Sequence, residues 1–377
     1  MEEIVYGVVG FALARKAIKD TRAQKNQKQS DAILLLAHGT PDTLGEMAEY
    51  LRLVTGGRGV PQHVVEELKH RYAGIGLRDE PTAEGPHLTR WTMRQAELLL
   101  QKTDKPVYVG MRNWRPFIAD TVEQMKRDAV DKITAICLAP QNSRTSVGLY
   151  KRALMDAVGD TMQVRFIAGW ATHPLLIQAF EEKMRTALHT ARALHPNAKI
   201  AALFTAHAVP CRTIQASANP VEHHGMVLAT EPDTYAIECK QTAAHVAGKL
   251  RDVLPPQDAY FSFQSQGMSG GPWLGPTVED TLAALQQSGY THIVMQPIGF
   301  VCDHVEILYD IDIAFQQLAH NLGITLSRAE SLNESPTLIA ALADIALHPD
   351  HRSQVPPSIS ISAAEIVTHS LPEGVSA

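Results

Sequence analysis

Short apolar segments alternate with amphipathic helical segments along most of this chain. The apolar segments read as buried strands, and the one at 292–298 is also rich in β-branched residues. They cover residues 32–37, 106–110, 132–138, 164–168, 198–204, 259–264 and 292–298. Strands that alternate with helices form parallel sheets covered on both faces. The sequence therefore predicts an α/β protein with two doubly wound domains, and a cleft between them as the expected ligand site.

The alternation occurs twice, which gives the predicted domain organisation. We predict an N-terminal extension at residues 1–30, a first domain at 31–160 and a second domain at 161–330. A C-terminal helix at 331–350 and a weakly patterned tail at 351–377 follow. A chain of 377 residues is long enough for two such domains.

An apolar run of about eleven residues, at positions 4–14, lies near the N-terminus. A secretory signal carries positive charge before its apolar run, whereas Glu2 and Glu3 stand there. The run is also too short to span a bilayer, which takes about 20 residues. We therefore predict a cytoplasmic protein without a transmembrane segment, in which this run packs on the body or on a partner. Peripheral membrane contact stays open as the alternative.

The composition argues against several classes of function. A formal net charge of −6 argues against general binding to nucleic acid or to anionic membranes. The four cysteines are scattered and form no C-x-x-C pair, so they indicate neither a zinc site nor an iron–sulfur cluster. No dinucleotide fingerprint follows the first strand, and no phosphate-binding loop motif occurs, so nucleotide use is not indicated.

Polar residues that can perform chemistry follow three of the predicted strands. His38 and His207 each come at the end of a strand, and Glu306 opens a helical pattern after another. Asp303 and Asp310 are predicted to lie on the same helix face as Glu306. Histidine and carboxylate above one sheet edge bind a divalent metal or transfer protons near neutral pH. A solvated acidic helix face and capping or core histidines are the structural alternatives.

Two arginine side chains are further candidates for contact with an anionic ligand. Arg144 lies in a polar loop between a strand and a helix. It is a candidate supporting residue that binds a carboxylate or phosphate at the helix N-terminus, or it belongs to a polar capping loop. Arg71 and Tyr72 end a helix and offer a cation and a ring to a flat acidic ligand, or they cover surface as an amphipathic pair.

Four sequence blocks keep a characteristic order and spacing over about residues 32–347. They are Leu36–Pro41, Tyr108–Phe117, Phe204–Pro210 and Gly299–Asp310. Together they resemble the ferrochelatase family, a family of lyases that insert ferrous iron into a porphyrin in haem biosynthesis. The resemblance implies two Rossmann-like domains of the chelatase type with the porphyrin in the cleft between them.

The resemblance also implies roles for particular residues and ligands. His207 and Glu306 are implied as the catalytic and metal-binding pair, with Asp310 in a supporting role. The next acidic position of the family falls on Ala314 here, so the acidic stripe is shorter. The implied partners are a porphyrin and Fe2+, both as substrates, with no prosthetic group and no nucleic acid.

The resemblance is nearest to the branch that metallates coproporphyrin III. That branch has a tyrosine where this chain has His38, and imidazole is also an iron ligand. We therefore predict that His38 faces the porphyrin from the side opposite to His207. Arg71, Tyr72 and Tyr150 match substrate-contacting positions of the branch. Protoporphyrin IX as substrate, and a non-catalytic tetrapyrrole-binding protein, are the alternatives.

Overall fold

The computed structural model describes residues 31–215, 232–267 and 271–348, and the backbone of residues 222–223 and 226–227. The predicted N-terminal extension and C-terminal tail lie outside the described residues. The strands are β1 Asp31–Ala37, β2 Val107–Met111, β3 Lys132–Cys137, β4 Gln163–Ile167, β5 Ile200–His207, β6 Glu222–His223, β7 Met226–Val227, β8 Ala259–Gln264, β9 His292–Pro297 and β10 Thr325–Arg328.

Helices connect most of these strands, as the alternation of segments predicts. The α-helices are α1 Met47–Val54, α2 Gln62–Gly74, α3 His87–Thr103, α4 Ile118–Arg127, α5 Val147–Val158, α6 Pro174–Leu194, α7 Cys211–Ile214, α8 Tyr235–Lys249, α9 Val278–Gln287, α10 Val305–Leu308, α11 Gln316–Asn321 and α12 Pro336–Leu347. Short 3-10 turns occur at Leu44–Glu46 and Pro256–Asp258, and a π-helical turn at Asp310–Phe315.

The described chain divides into two compact units that are not contiguous in sequence. The first unit contains residues 31–138, 147–168 and 342–348, and the second contains residues 139–146 and the described part of 169–341. The sequence predicts contiguous domains instead. The structure places β4 in the first unit and the loop at 139–146 in the second.

The first unit is built on a parallel sheet with the strand order β2-β1-β3-β4. β1 lies inside the sheet, and its residues Ile33, Leu34, Leu35 and Leu36 are fully buried. A strand covered on both faces reads as a continuous apolar run, which is why β1 is so clear in the sequence. The predicted parallel sheet is confirmed in this unit.

The second unit repeats the plan with the order β10-β9-β5-β8, again all parallel. The central strands β5 and β9 are buried along almost their whole length. β10 was not predicted, since it is a four-residue edge strand in which only Leu326 is buried. The two sheets give the chain the predicted α/β class.

The helix that follows β9 differs from the prediction. The sequence predicts one helix from Val305 to about Gly323, but only α10 and α11 are α-helical. Between them lies the π-turn, in which the Ala314 amide donates to the Tyr309 carbonyl five residues earlier, at 2.9 Å. Such a turn inserts one extra residue and changes which side chains share a face.

Asp303 does not lie on the face of Glu306, as was predicted. It precedes α10, and Ser331 and Asn333 donate to its carboxylate at 2.6 and 2.9 Å. The Arg328 guanidinium lies 3.5 Å from the same carboxylate. Asp303 therefore belongs to a polar network that attaches the loop before α10 to the segment after β10.

Candidate functional site

His207 is the last residue of β5, inside the second sheet. Its backbone carbonyl accepts a hydrogen bond from the Tyr235 hydroxyl at 2.8 Å. The next amide, that of Ala208, donates to the Gln264 carbonyl of β8 at 2.6 Å. The backbone that presents the imidazole is therefore fixed from two neighbouring elements.

Glu306 lies in the first turn of α10, the first helix after β9. The Gln264 side chain donates to the Glu306 carbonyl at 2.8 Å, and its own oxygen accepts from the Thr205 hydroxyl at 2.6 Å. Thr205 and Gln264 are both almost completely buried. Two side chains of the sheet thus hold the first turn of α10 over the carboxyl ends of β5 and β8.

These two residues meet. The Nδ1 atom of His207 lies 3.2 Å from Oε2 of Glu306, and the two side chains are 33% and 32% exposed. The contact brings the two groups together without a well-aligned hydrogen bond. The pair therefore has access to solvent and can receive a proton or a cation.

The electrostatics of the pair favour a carboxylate beside an imidazole that protonates readily. Burial raises the pKa of Glu306, but the imidazoles of His207 and His304 outweigh it, and the resulting pKa lies well below the usual value. Burial lowers the pKa of His207, whereas the carboxylates of Glu306 and Asp310 raise it, and the net pKa is above the usual value. Each group thus stabilises the charged form of the other.

The Asp310 carboxylate acts electrostatically on His207. Asp310 is the first residue of the π-turn, it is 8% exposed, and its Oδ2 atom accepts a short hydrogen bond from the Ser265 hydroxyl. Ser265 has a φ of 62°, in the left-handed region that non-glycine residues seldom adopt. The contact with Asp310 accompanies this unfavourable backbone conformation at the end of β8.

His304 lies beside Glu306 and is not among the predicted site residues. Its Nε2 atom lies 3.7 Å from Oε2 of Glu306, and its ring packs on Phe300 at a centroid distance of 4.4 Å. The signal was present, because a histidine two residues before the candidate carboxylate also follows a buried strand. The predicted stripe rests on the spacing of the acids, which does not include His304.

In the first unit, His38 follows β1, and both of its ring nitrogens have partners. Nε2 lies 2.9 Å from the side-chain nitrogen of Asn113, and Nδ1 lies 3.1 Å from the Gly39 carbonyl and 3.2 Å from the Tyr50 hydroxyl. An amide that donates to Nε2 uses the lone pair there and assigns the ring proton to Nδ1. Nε2 carries the lone pair and can act as a ligand once the Asn113 amide gives up this hydrogen bond.

The other predicted substrate residues of the first unit surround this histidine in part. Tyr72 is buried and packs edge-on against Tyr50, with ring centroids 6.4 Å apart, and Tyr50 packs edge-on against His38 at 6.1 Å. Tyr150, on α5, is also buried. Arg71 lies on the surface of α2, 2.5 Å from a carboxylate oxygen of Glu67.

Arg144 contacts Asp233 in the second unit. Its amide donates to the Asp233 carboxylate at 2.7 Å, and its guanidinium donates to the carbonyls of Thr213 and Gln215, both at 3.3 Å. These contacts are those expected of the polar-loop alternative. They connect the loop at 139–146 to the elements that follow β5.

Metal-binding clusters of three or more residues and membrane-spanning helices are both absent from the described residues. Across residues 31–215, 232–267 and 271–348, no group of three or more His, Cys, Asp or Glu side chains is arranged to hold a metal ion. Over the same ranges, no helix has the length and apolar character needed to cross a bilayer.

Comparison with known proteins supports the resemblance drawn from the four blocks. Residues 30–349 match the model of the family described as Ferrochelatase. A ferrochelatase of Acidobacterium capsulatum is 55% identical over 317 residues, covering 84% of this chain and 93% of the relative. A ferrochelatase of Deinococcus radiodurans is 34% identical over 325 residues, covering 85% and 96%.

A relative from the predicted branch is also similar. The coproporphyrin III ferrochelatase of Geobacillus kaustophilus is 31% identical over 332 residues, covering 85% of this chain and 96% of the relative. With two parallel α/β units and a family match over most of its length, this chain belongs to the ferrochelatase family of metal chelatases.

Proposed function

We propose that this ferrochelatase inserts Fe2+ into coproporphyrin III, with His207 and Glu306 as its catalytic and metal-binding residues. The observation that carries the proposal is the 3.2 Å contact between Nδ1 of His207 and Oε2 of Glu306 at the carboxyl edge of the second sheet. Asp310 supports the pair electrostatically. The similarity to the Geobacillus kaustophilus enzyme supports the choice of coproporphyrin III.

The reaction requires a proton acceptor and a site for a cation. A porphyrin releases its two pyrrole N–H protons as Fe2+ binds to the four nitrogens. Neutral His207 accepts a proton or binds the incoming iron, and the Glu306 carboxylate stabilises the positive charge that results. His304, near the same carboxylate, extends the path along which a proton leaves. Two protein ligands hold iron weakly enough for transfer to the macrocycle.

The proposed substrate is tested by direct metallation. The protein is incubated anaerobically with Fe2+ and either coproporphyrin III or protoporphyrin IX, and the loss of porphyrin fluorescence is followed. Faster metallation of coproporphyrin III is expected. Faster metallation of protoporphyrin IX would overturn the substrate assignment alone. Binding of both porphyrins without metallation would favour the non-catalytic tetrapyrrole-binding alternative.

His38 is proposed as an axial ligand of the iron in the bound product. We expect that His38→Ala changes the visible spectrum of bound ferric coproporphyrin, because it removes the Nε2 lone pair. Asn113→Ala is the matched control, since it removes the donor 2.9 Å from Nε2 and leaves the imidazole in place. An unchanged spectrum in His38→Ala would exclude the ligand role.

Arg71, Tyr72 and Tyr150 remain proposed substrate contacts, and Arg144 a proposed supporting residue. A cytoplasmic location is part of the same proposal, and cell fractionation tests it.

A further inference from the structure

Arg112 is a half-buried cation at the carboxyl edge of the first sheet. It directly follows β2, and its amide donates to the Ala37 carbonyl at the end of β1, at 3.0 Å. The next amide, of Asn113, donates to the His38 carbonyl at 2.9 Å. Arg112 is therefore held beside the backbone of His38.

The guanidinium of Arg112 has no acidic partner within the described residues. Neither an ion pair nor a side-chain hydrogen bond is present for it in the described ranges 31–215, 232–267 and 271–348. By contrast, Arg165 in the same unit donates to the Thr134 hydroxyl and to the carbonyls of Ile345 and Ala346. Native structures seldom leave a half-buried charge without a compensating group.

Two tyrosine phenols act on the charge of Arg112. The titratable groups that act on it most strongly are the phenols of Tyr150 and Tyr50, both on buried side chains. Burial lowers the pKa of Arg112, and these phenols oppose the change. A guanidinium remains charged in such a place, and a planar carboxylate is the anion that it binds best.

We propose that Arg112 binds a propionate carboxylate of the porphyrin substrate. This inference rests on the proposed function and deepens it, since it assigns a carboxylate-binding position to the first unit. Propionates are the anionic groups that coproporphyrin III carries at its periphery. Arg112 binds one of them near His38, with the phenols of Tyr50 and Tyr150 close to the same guanidinium.

The test is equilibrium binding of porphyrins to the full chain without metal, followed by fluorescence. The probes are coproporphyrin III and its uncharged tetraamide, which has a macrocycle of similar size. Arg112→Gln is expected to raise the Kd for coproporphyrin III by about 10- to 100-fold, because it removes a charge-assisted hydrogen bond. The Kd for the tetraamide is expected to stay within about twofold, since the amide offers no charge to bind.

Two further variants make the result specific. Arg112→Lys keeps the positive charge and is expected to recover part of the affinity for coproporphyrin III. Such recovery would show that the weaker binding of Arg112→Gln does not come from misfolding. Arg115→Gln is the matched control, because Arg115 lies on the same segment, is exposed and pairs with Glu46 at 3.5 Å. Its two Kd values are expected to match those of the unchanged protein.

Some outcomes overturn the proposal. If Arg112→Gln loses affinity equally for both probes, Arg112 has a structural role. If it loses affinity for neither probe, Arg112 does not bind the propionate. Failure of the proposed function is distinguishable, because a protein that binds coproporphyrin III through Arg112 but does not insert iron fails only the metallation assay.

Discussion

Replacing Glu306 by glutamine is expected to lower kcat for iron insertion by about 100-fold or more, a loss typical of removing a general acid–base group. Glutamine keeps the size of the side chain but removes the negative charge 3.2 Å from His207. The imidazolium then loses its stabilising partner. Initial rates of metallation with Fe2+ under anaerobic conditions measure the effect.

His207→Ala is expected to show a comparable loss. Residues that act as a unit are not additive, so the double variant is expected to be little slower than either single variant. Glu279→Gln, on the exposed face of α9, is the matched control and is expected to keep the full rate. A full rate in Glu306→Gln would remove the carboxylate from the mechanism, and a full rate in His207→Ala would remove the imidazole.

The pH dependence of the metallation rate tests the same pair independently. His207 must be neutral to accept a proton or to bind a metal, so the rate falls as the pH drops through its pKa. Burial lowers that pKa, but the carboxylates raise it above the usual value. Glu306→Gln removes the larger opposing charge, so the acid limb of the residual activity is expected to move to lower pH. A shift to higher pH would contradict this account.

The second large effect is expected on stability. Arg328→Met is expected to lower the free energy of unfolding by about 3 kcal/mol, because it leaves two half-buried carboxylates without their cation. The guanidinium contacts both Asp312 oxygens, at 2.6 and 2.8 Å, and lies 3.5 Å from Asp303. Chemical denaturation followed by fluorescence measures the change.

Arg185→Met is the matched control. Arg185 also contacts two carboxylates, at 2.5 Å in Glu181 and at 2.6 Å in Asp252, but its side chain is 29% exposed whereas that of Arg328 is 15% exposed. A more exposed pair contributes about 1 kcal/mol or less. Equal losses of unfolding free energy in the two variants would show that the network around Arg328 contributes no more stability than an exposed pair.

Arg328→Lys separates charge from geometry. Lysine keeps the charge but cannot contact both oxygens of Asp312 in the planar manner of a guanidinium. It is expected to recover part of the stability. Full recovery would mean that charge alone holds the loop before α10.

The sequence predicted the sheets well because their central strands are covered on both faces. β1 and β9 read as continuous apolar runs, and the residues that follow their carboxyl ends include His38 and Glu306. The apolar run of β5 likewise predicted that His207 stands at the end of that strand. Topology then brings His207 and Glu306 into contact without any further signal from the local sequence.

The prediction was less successful where backbone geometry departs from the regular helix. A spacing of four residues places Asp303, Glu306 and Asp310 on one face only if the helix is α-helical throughout. The π-turn and the late start of α10 remove that condition. Neither feature has a pattern that periodicity can detect, so Asp303 was assigned to the wrong environment.

The domain boundaries were hard to predict for a different reason. Sequence patterns show where elements begin and end, but they do not show which elements pack together. The loop at 139–146 joins the second unit through contacts such as that of Arg144 with Asp233, which are distant in sequence.

The division of the chain also sets an order for folding during synthesis. Arg165 of the first unit donates to the Ile345 carbonyl, 180 residues later. At a synthesis rate of about 5 to 20 residues per second, about 10 to 35 s pass between the two. The first unit therefore leaves the ribosome with its closing segment still untranslated, and the whole second sheet is made during the interval. The Arg165 guanidinium acquires its Ile345 and Ala346 acceptors only after the second sheet has been made.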